Sequence, residues 1–288
     1  MSELEDRIHT VEGENHLHLA ESEDHLHSGE AENRINVIDD RVRPAVDIVS
    51  LYPRDMNIYG DTGNVLVVAK RLWLYGYQPV VHYVNQGDAW PEHVDIILGG
   101  GGQDSGQKKI QDDLMARAPQ LRQMADEGVP MLVICGLYQL FGNFFRTIDG
   151  DEIPGIGIFD AETLGKTARL IGNLVASSDY GTLVGYENHS GQTFLHGQTK
   201  ALGRVTSGEG NNAEDETEGA QKNNVIGTYM HGSVLPKNPK LADFLVMKAV
   251  EHRYGSFTNL ADSSMQAELE KLDECARQAS QVAQHRPR

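Results

Sequence analysis

The sequence predicts an α/β fold in three layers, with a mostly parallel sheet flanked by helices. Three observations carry that expectation. Apolar runs of strand length alternate with helix-length segments between residues 45 and 134, the pattern of βαβ units. Several of these runs lead into Gly-rich or Cys-Gly turns, and in such sheets ligands gather where the strands end. The 288 residues are also enough to bury a sizeable core.

In order, "AVDIVSLYP" reads as the first strand, and "GDTGNVLVVAKRLWLYGY" as a turn running into an amphipathic helix. "QPVVHYV" is a second strand, and "VDIILGGGGQDSG" a third that ends in a glycine loop. A polar helix is expected over residues 107–127, then a fourth strand in "VPMLVIC". Beyond residue 140 the texture becomes more β-like, in "EIPGIGIFDAETL", "ARLIGNLVASS", "GTLVGYENHSGQTFL" and "NNVIGTYMHGSVLP". Residues 206–222, "TSGEGNNAEDETEGAQK", read as an acidic loop insertion at the surface. The helix "PKLADFLVMKAVEHRYG" closes a domain spanning 45–256, and 257–288 form a helical tail with Met265, Leu269, Leu272 and Ala276 on one face.

Residues 1–44 are a different material, rich in Glu, Asp, His and Ser, and are expected to be a disordered extension. Their His-Leu-His elements (His16 and His18, His25 and His27) are metal-ligand types without a fixed geometry, and no metal site is expected. The formal charge of −17 with no basic stripe argues against nucleic acid. Two cysteines are too few for a disulfide framework. With an acidic opening in place of a leader peptide and no run long enough to span a bilayer, a cytoplasmic protein is expected.

One of those cysteines, Cys135, sits where "VPMLVIC" turns through Gly136 into "LYQLFG". A strand entering a tight turn and leaving as a helix is the geometry of a nucleophile elbow, and free N–H groups at a helix start favour a thiolate. The alternative is a small apolar residue ending a core strand. A nucleophilic cysteine needs a base. His231 follows an apolar strand in "NVIGTYMHG", and His189 in "GYENHSG" competes with it. An oxyanion would need fixed N–H donors, for which Gly136 and, in the "GGGG" loop, Gly101 are the candidates. Neither that loop nor "YGDTGN" carries the Lys-Ser/Thr of a phosphate-binding loop.

Taken together, "CGLYQLFG", "LGGGGQD", "GYENHSG" and "YMHG" resemble the class I glutamine amidotransferases of the cobyric-acid-synthase type. Within them, "NIYGDTGN", "GGGGQDSGQ", "RLIGN", "GYENHSGQT" and "YMHGSVLPKNPKLADFL" are most similar to the GatD group, the glutaminase subunits of lipid II isoglutaminyl synthase. The resemblance implies a flavodoxin-like sheet topology. It implies glutaminase chemistry, in which Cys135 attacks the side-chain amide of L-glutamine and a thioester is hydrolysed to glutamate, with His231 as base and then acid. It also implies that Gln139 helps hold the substrate, that Arg169 grips the glutamine carboxylate, and that Glu187, Asn188 and His189 line the substrate wall.

One position departs from the pattern. Many class I glutaminases carry a Glu two residues after the histidine, and here that residue is Ser233. The resemblance implies a Mur-ligase-like partner of the MurT type that lends the missing acid; an acid of this chain, Glu187 for instance, is the alternative. The resemblance places ATP and magnesium on that partner, with no cofactor in this chain. The partner converts D-glutamate of the lipid II stem peptide to D-isoglutamine in peptidoglycan synthesis, at the inner face of the membrane. Two rivals remain at this point: a cobyric-acid-type amidotransferase domain, and a non-catalytic regulatory subunit.

Overall fold

A computed structural model describes residues 43–285. The N-terminal extension and its paired histidines, His16, His18, His25 and His27, therefore lie outside the described residues.

The parallel sheet begins with β1 (Ala45–Leu51), whose last six residues are buried. Such a near-continuous apolar strand belongs to a sheet covered on both faces. Helix α1 (Gly63–Leu74) leads to β2 (Gln78–Val84), which pairs parallel with β1. The chain then crosses to the other side of β1, where β3 (Ile96–Gly99) pairs parallel. Helix α2 (Asp104–Asp126) and β4 (Met131–Ile134) continue in that direction, followed by the short α3 (Gly136–Phe141). The resulting order reverses between β1 and β3, so the loops leaving those two strands frame the switch-point crevice where ligands bind in doubly wound sheets.

A second, largely antiparallel sheet follows. It holds β5 (Phe144–Arg146), β6 (Glu152–Pro154), the long β7 (Ala161–Ser178) and β8 (Gly181–Leu195), then β9 (Gly203–Ser207) and β10 (Thr217–Glu218). The chain returns to the first sheet through β11 (Ala220–Lys222) and β12 (Val225–Thr228), the latter parallel to β4. This corrects one expectation. Segment 206–222 is not a loose surface loop: it supplies three strand segments, and Asn211, Asn212 and Glu218 are buried. Side-chain hydrogen bonds replace the apolar contacts that composition would demand. Asn211 donates to the Gly219 carbonyl and accepts from the Gly219 N–H, while Asn212 donates to the Thr193 carbonyl.

Helix α4 (Pro239–Tyr254) packs on α1 and ends at Gly255, whose φ of 82° is the left-handed conformation of a helix stop. Helix α5 (Ser263–Gln284) starts at Asp262, whose carboxylate caps the Ser264 and Met265 N–H groups. It docks on α1 through the buried Arg71, which bridges Asp243 of α4 and Asp273 of α5. Leu269, Ala276 and Ser280 form its buried stripe, while Leu272, expected on that face, stays exposed. Among the described residues, no helix is long and apolar enough to cross a membrane.

Candidate active site

Cys135 ends β4 with φ 48° and ψ −103°, a strained conformation for a residue with a side chain. Strain of that kind costs about 1–3 kcal/mol and is held by its surroundings. Here the Cys135 N–H is fixed by the Thr228 carbonyl of β12 (2.9 Å), and its carbonyl accepts the Gln139 N–H of α3 (2.9 Å). The sulfur residue is thus lifted out of the sheet at its carboxyl edge, and Cys135 is 8% exposed.

His231 is brought to the same edge by the chain leaving β12, where its N–H bonds to the Tyr186 carbonyl of β8 (2.7 Å). Gly101 shows how closely the two side chains converge. A methyl placed on it would lie 2.6 Å from His231 Cε1 and 3.2 Å from Cys135 Cβ, so only glycine fits. Burial opposes a charge on His231, but the Cys135 sulfur and the Asp61 carboxylate outweigh it and raise its pKa to about 10. The imidazole is therefore held in its charged form. Tyr59 stands edge-on to the imidazole at 4.5 Å between ring centroids.

His189 sits in a different setting. Its Nδ1 donates to the Gly191 carbonyl (2.6 Å), and its ring stacks on Tyr229 at 3.5 Å. Burial, helped by the charges of His231 and Arg169, drives its pKa down to about 3. The ring stays neutral, and its Nε2 is a buried nitrogen with no hydrogen-bond partner within normal distance among the described residues. Such an atom suits an N–H of a bound substrate.

The other expected site residues are distributed as follows. Gln139 lies in the buried network behind the sulfur, accepting from Gln107 (2.8 Å) and donating to the Tyr229 hydroxyl (3.1 Å). Arg169 projects at the surface of β7 and uses Nε on Asn188 (2.6 Å), which in turn donates to the Tyr59 hydroxyl (2.7 Å). Arg169 is thereby linked to the ring that covers His231, and its Nη groups have no hydrogen bond among the described residues. Glu187 is fully buried and turned elsewhere: its carboxylate accepts the Glu209 N–H (2.9 Å) and the Gly210 N–H (2.8 Å). It fastens the 206–222 segment and does not orient His231.

The Gly136 N–H opens α3 next to the sulfur. The Gly101 N–H, expected as the second oxyanion donor, is instead given to Asp61 Oδ2 (2.8 Å). The next amide, that of Gly102, packs against Gly136 and has no acceptor among the described residues. Sequence reasoning did not single out Asp61, Tyr59, Gln107 or Tyr229. The available signal was the acid inside "YGDTGN", a turn read as a helix start, as a phosphate-loop candidate and as part of the family resemblance, without a role for its acid.

A cleft of about 560 Å³ reaches His231 between Tyr186, Gly232 and Lys237 on one side and Cys275 and Ala279 of α5 on the other. Among the described residues, no group of three or more His, Cys, Asp or Glu side chains is placed to hold a metal ion.

A cysteine on a strained elbow, paired with a buried imidazolium at the switch point of a doubly wound sheet, is a site for amide or ester transfer through sulfur. Residues 47–239 match the model of the CobB/CobQ-like glutamine amidotransferase domain, and the chain belongs to that family. Within it, the chain is 40% identical over 200 residues to the GatD subunit of lipid II isoglutaminyl synthase (glutamine-hydrolyzing) from Staphylococcus aureus, covering 69% of this chain and 82% of the relative. The corresponding subunit from Streptococcus pneumoniae is 39% identical over 214 residues, covering 73% and 82%. A probable cobyric acid synthase from Methanothermobacter thermautotrophicus is 32% identical over 175 residues, covering 55% of this chain and 34% of that protein.

Proposed function

We propose that this chain is the glutamine-hydrolysing subunit of a lipid II isoglutaminyl synthase, working with a MurT-type Mur-ligase-like partner. The observation that carries the chemistry is the convergence of Cys135, on the elbow that ends β4, and His231 beside Gly101. Its support as a GatD-type subunit is the 40% and 39% identity to two such subunits across most of their length. Two cobyric acid synthases match over only 34% and 28% of their own length, which disfavours the cobyric-acid reading.

In this proposal the thiolate of Cys135 adds to the side-chain amide carbon of L-glutamine. The resulting oxyanion takes hydrogen bonds from the N–H of Gly136 and an N–H of the 99–102 loop. His231 passes its proton to the leaving nitrogen, the C–N bond breaks, and ammonia departs from a γ-glutamyl thioester. Water then adds to the thioester and gives a proton to His231; the C–S bond breaks, and glutamate leaves with the thiolate restored. The forked guanidinium of Arg169 holds the α-carboxylate. Ammonia passes to the partner, which carries ATP and magnesium and amidates the D-glutamate of the lipid II stem peptide at the cytoplasmic membrane face.

The test is release of glutamate and ammonia from L-glutamine by the purified chain, alone and with a MurT-type partner, beside Cys135→Ser. Turnover that disappears in the variant is expected. Glutamine-dependent amidation that persists in Cys135→Ser would move the reading to a regulatory subunit.

A further inference from the structure

Gln107 is a buried side chain that the glutaminase chemistry has not used. It lies in the first turn of α2, just beyond the glycine loop, and is 1% exposed. Its Nε2 donates to the Gly136 carbonyl (2.9 Å) and to Gln139 Oε1 (2.8 Å), while its own Oε1 is buried with no partner among the described residues. A buried polar atom left unpaired is costly, so such a side chain is kept for what its other end does.

The direction of these bonds follows from one backbone group. A carbonyl only accepts, so the Gly136 oxygen requires the NH2 end of Gln107. The second N–H of that end then requires the oxygen of Gln139, and the Gln139 NH2 is turned toward the Tyr229 hydroxyl (3.1 Å). Tyr229 accepts there, and its own proton is left for Thr193 Oγ1 (2.6 Å), which lies 2.8 Å from Thr163 Oγ1. A relay of buried side chains thus runs from α2 through α3 and the chain after β12 to β8 and β7. Packing tightens it: a methyl on Gly191 would lie 2.5 Å from Gln139 Nε2, and one on Gly136 would lie 2.8 Å from the Gly102 carbonyl oxygen. Gln139 is therefore held between β8 and α2 in one of its two amide flips, and Gln107 selects which. Without Gln107 the Tyr229 hydroxyl accommodates either flip, because it both donates and accepts.

We propose that Gln107 is a positioning residue for glutamine recognition: by fixing the flip of Gln139, it presents the substrate with a single arrangement of donor and acceptor. The inference rests on the glutaminase reading, which gives Gln139, about one helical turn after Cys135, the task of holding the substrate. An amide free to flip offers its acceptor in one state and its donor in the other, and binding then has to select one. Locking the flip removes that cost beforehand. Neither bond of Gln107 goes to Cys135 or His231, so its loss falls on binding and not on the bond-breaking steps.

The experiment compares wild type, Gln107→Met, Gln107→Glu, Gln139→Met and the Gln107→Glu/Gln139→Met double variant, each as the full chain, alone and with a MurT-type partner. Glutamine kinetics are read beside labelling of Cys135 by two reagents, followed on its peptide by mass spectrometry. One is a diazoketone analogue of L-glutamine, which must bind as glutamine does before it alkylates; the other is iodoacetamide, which needs only the thiol. Gln107→Met leaves both flips open and is expected to raise KM by about two- to threefold. Gln107→Glu keeps the shape, but the oxygen in place of Nε2 has one proton for the Gly136 carbonyl and only lone pairs for Gln139. It imposes the opposite flip and raises KM by roughly tenfold or more. In both variants kcat stays within about threefold, diazoketone labelling slows by the factor that KM rises, and iodoacetamide labelling is unchanged. The double variant has no higher KM than Gln139→Met alone, since Gln107 acts through Gln139. A milder effect of Glu than of Met, independent effects at the two positions, or slowing of both reagents together would overturn the inference, and if Gln107→Glu does not fold, an unchanged KM in Gln107→Met does so. Wild type labelled at Cys135 by iodoacetamide alone, with no glutamine turnover, would instead remove the glutaminase reading and this inference with it.

Discussion

His189 gives a quantitative prediction that does not depend on catalysis. Its pKa is driven by burial to about 3, against an ordinary value of 6.5. A base whose folded pKa is lowered refuses a proton that the unfolded chain accepts, so stability falls as pH drops below 6.5 and goes on falling toward 3. At pH 5 the unfolded chain has gained roughly 1.5 pH units of proton affinity over the folded one, and this costs about 2 kcal/mol. His231 works in the opposite direction: its contribution, with a pKa raised to about 10, is complete below 6.5 and fades as pH rises through 10. The two are separated by the His189→Gln variant, whose side chain can still donate near the Gly191 carbonyl. Urea unfolding of both proteins at pH 7 and pH 5 should show wild type losing about 2 kcal/mol more than the variant over that interval. Equal losses would mean that the His189 ring is protonated in the folded protein, and the argument for a neutral Nε2 facing substrate would fail with it.

Gly101→Ala sets a methyl 2.6 Å from His231 Cε1. It is expected to cost about 1–3 kcal/mol of stability by overpacking, and to abolish glutamate release even where thermal melting shows the protein folded; retained turnover would mean that the Cys135–His231 contact is looser than drawn. Arg169→Ala should raise the KM for glutamine by roughly tenfold or more while changing kcat less, since a surface guanidinium with open Nη groups binds substrate without touching the reacting atoms. An unchanged KM removes it from the substrate wall.

The parallel sheet was legible because its central strands are buried on both faces and so read as apolar runs: β1, β3 and β4 fall within a few residues of the expected bounds and the edge strand β2 on the very residues marked, as does β8 of the second sheet. Cys135 and Gly136 were legible for a related reason, since a strand that stops at Cys-Gly and restarts as a helix leaves a local trace. Segment 206–222 was misread because its buried groups are polar. Asn211, Asn212 and Glu218 are satisfied by partners such as Gly219, Thr193 and Thr228, which are invisible in a composition window. Burial raises the pKa of Glu218 to about 7, a state that no count of acidic residues would suggest.

The acid beside His231 was out of reach for a different reason. Asp61 belongs to the loop after β1, Gly101 to the loop after β3, Cys135 to the end of β4 and His231 to the chain leaving β12, so four separate strand ends meet only once the sheet is assembled. A motif search looks for the acid at a fixed offset from the histidine, and at that offset finds Ser233. The hydroxyl of Ser233 holds the Gly60 carbonyl, and through it the loop bearing Asp61. The hydroxyl at 233 and the loop at 60–63 thus meet only in the fold, a contact that no fixed offset along the sequence marks.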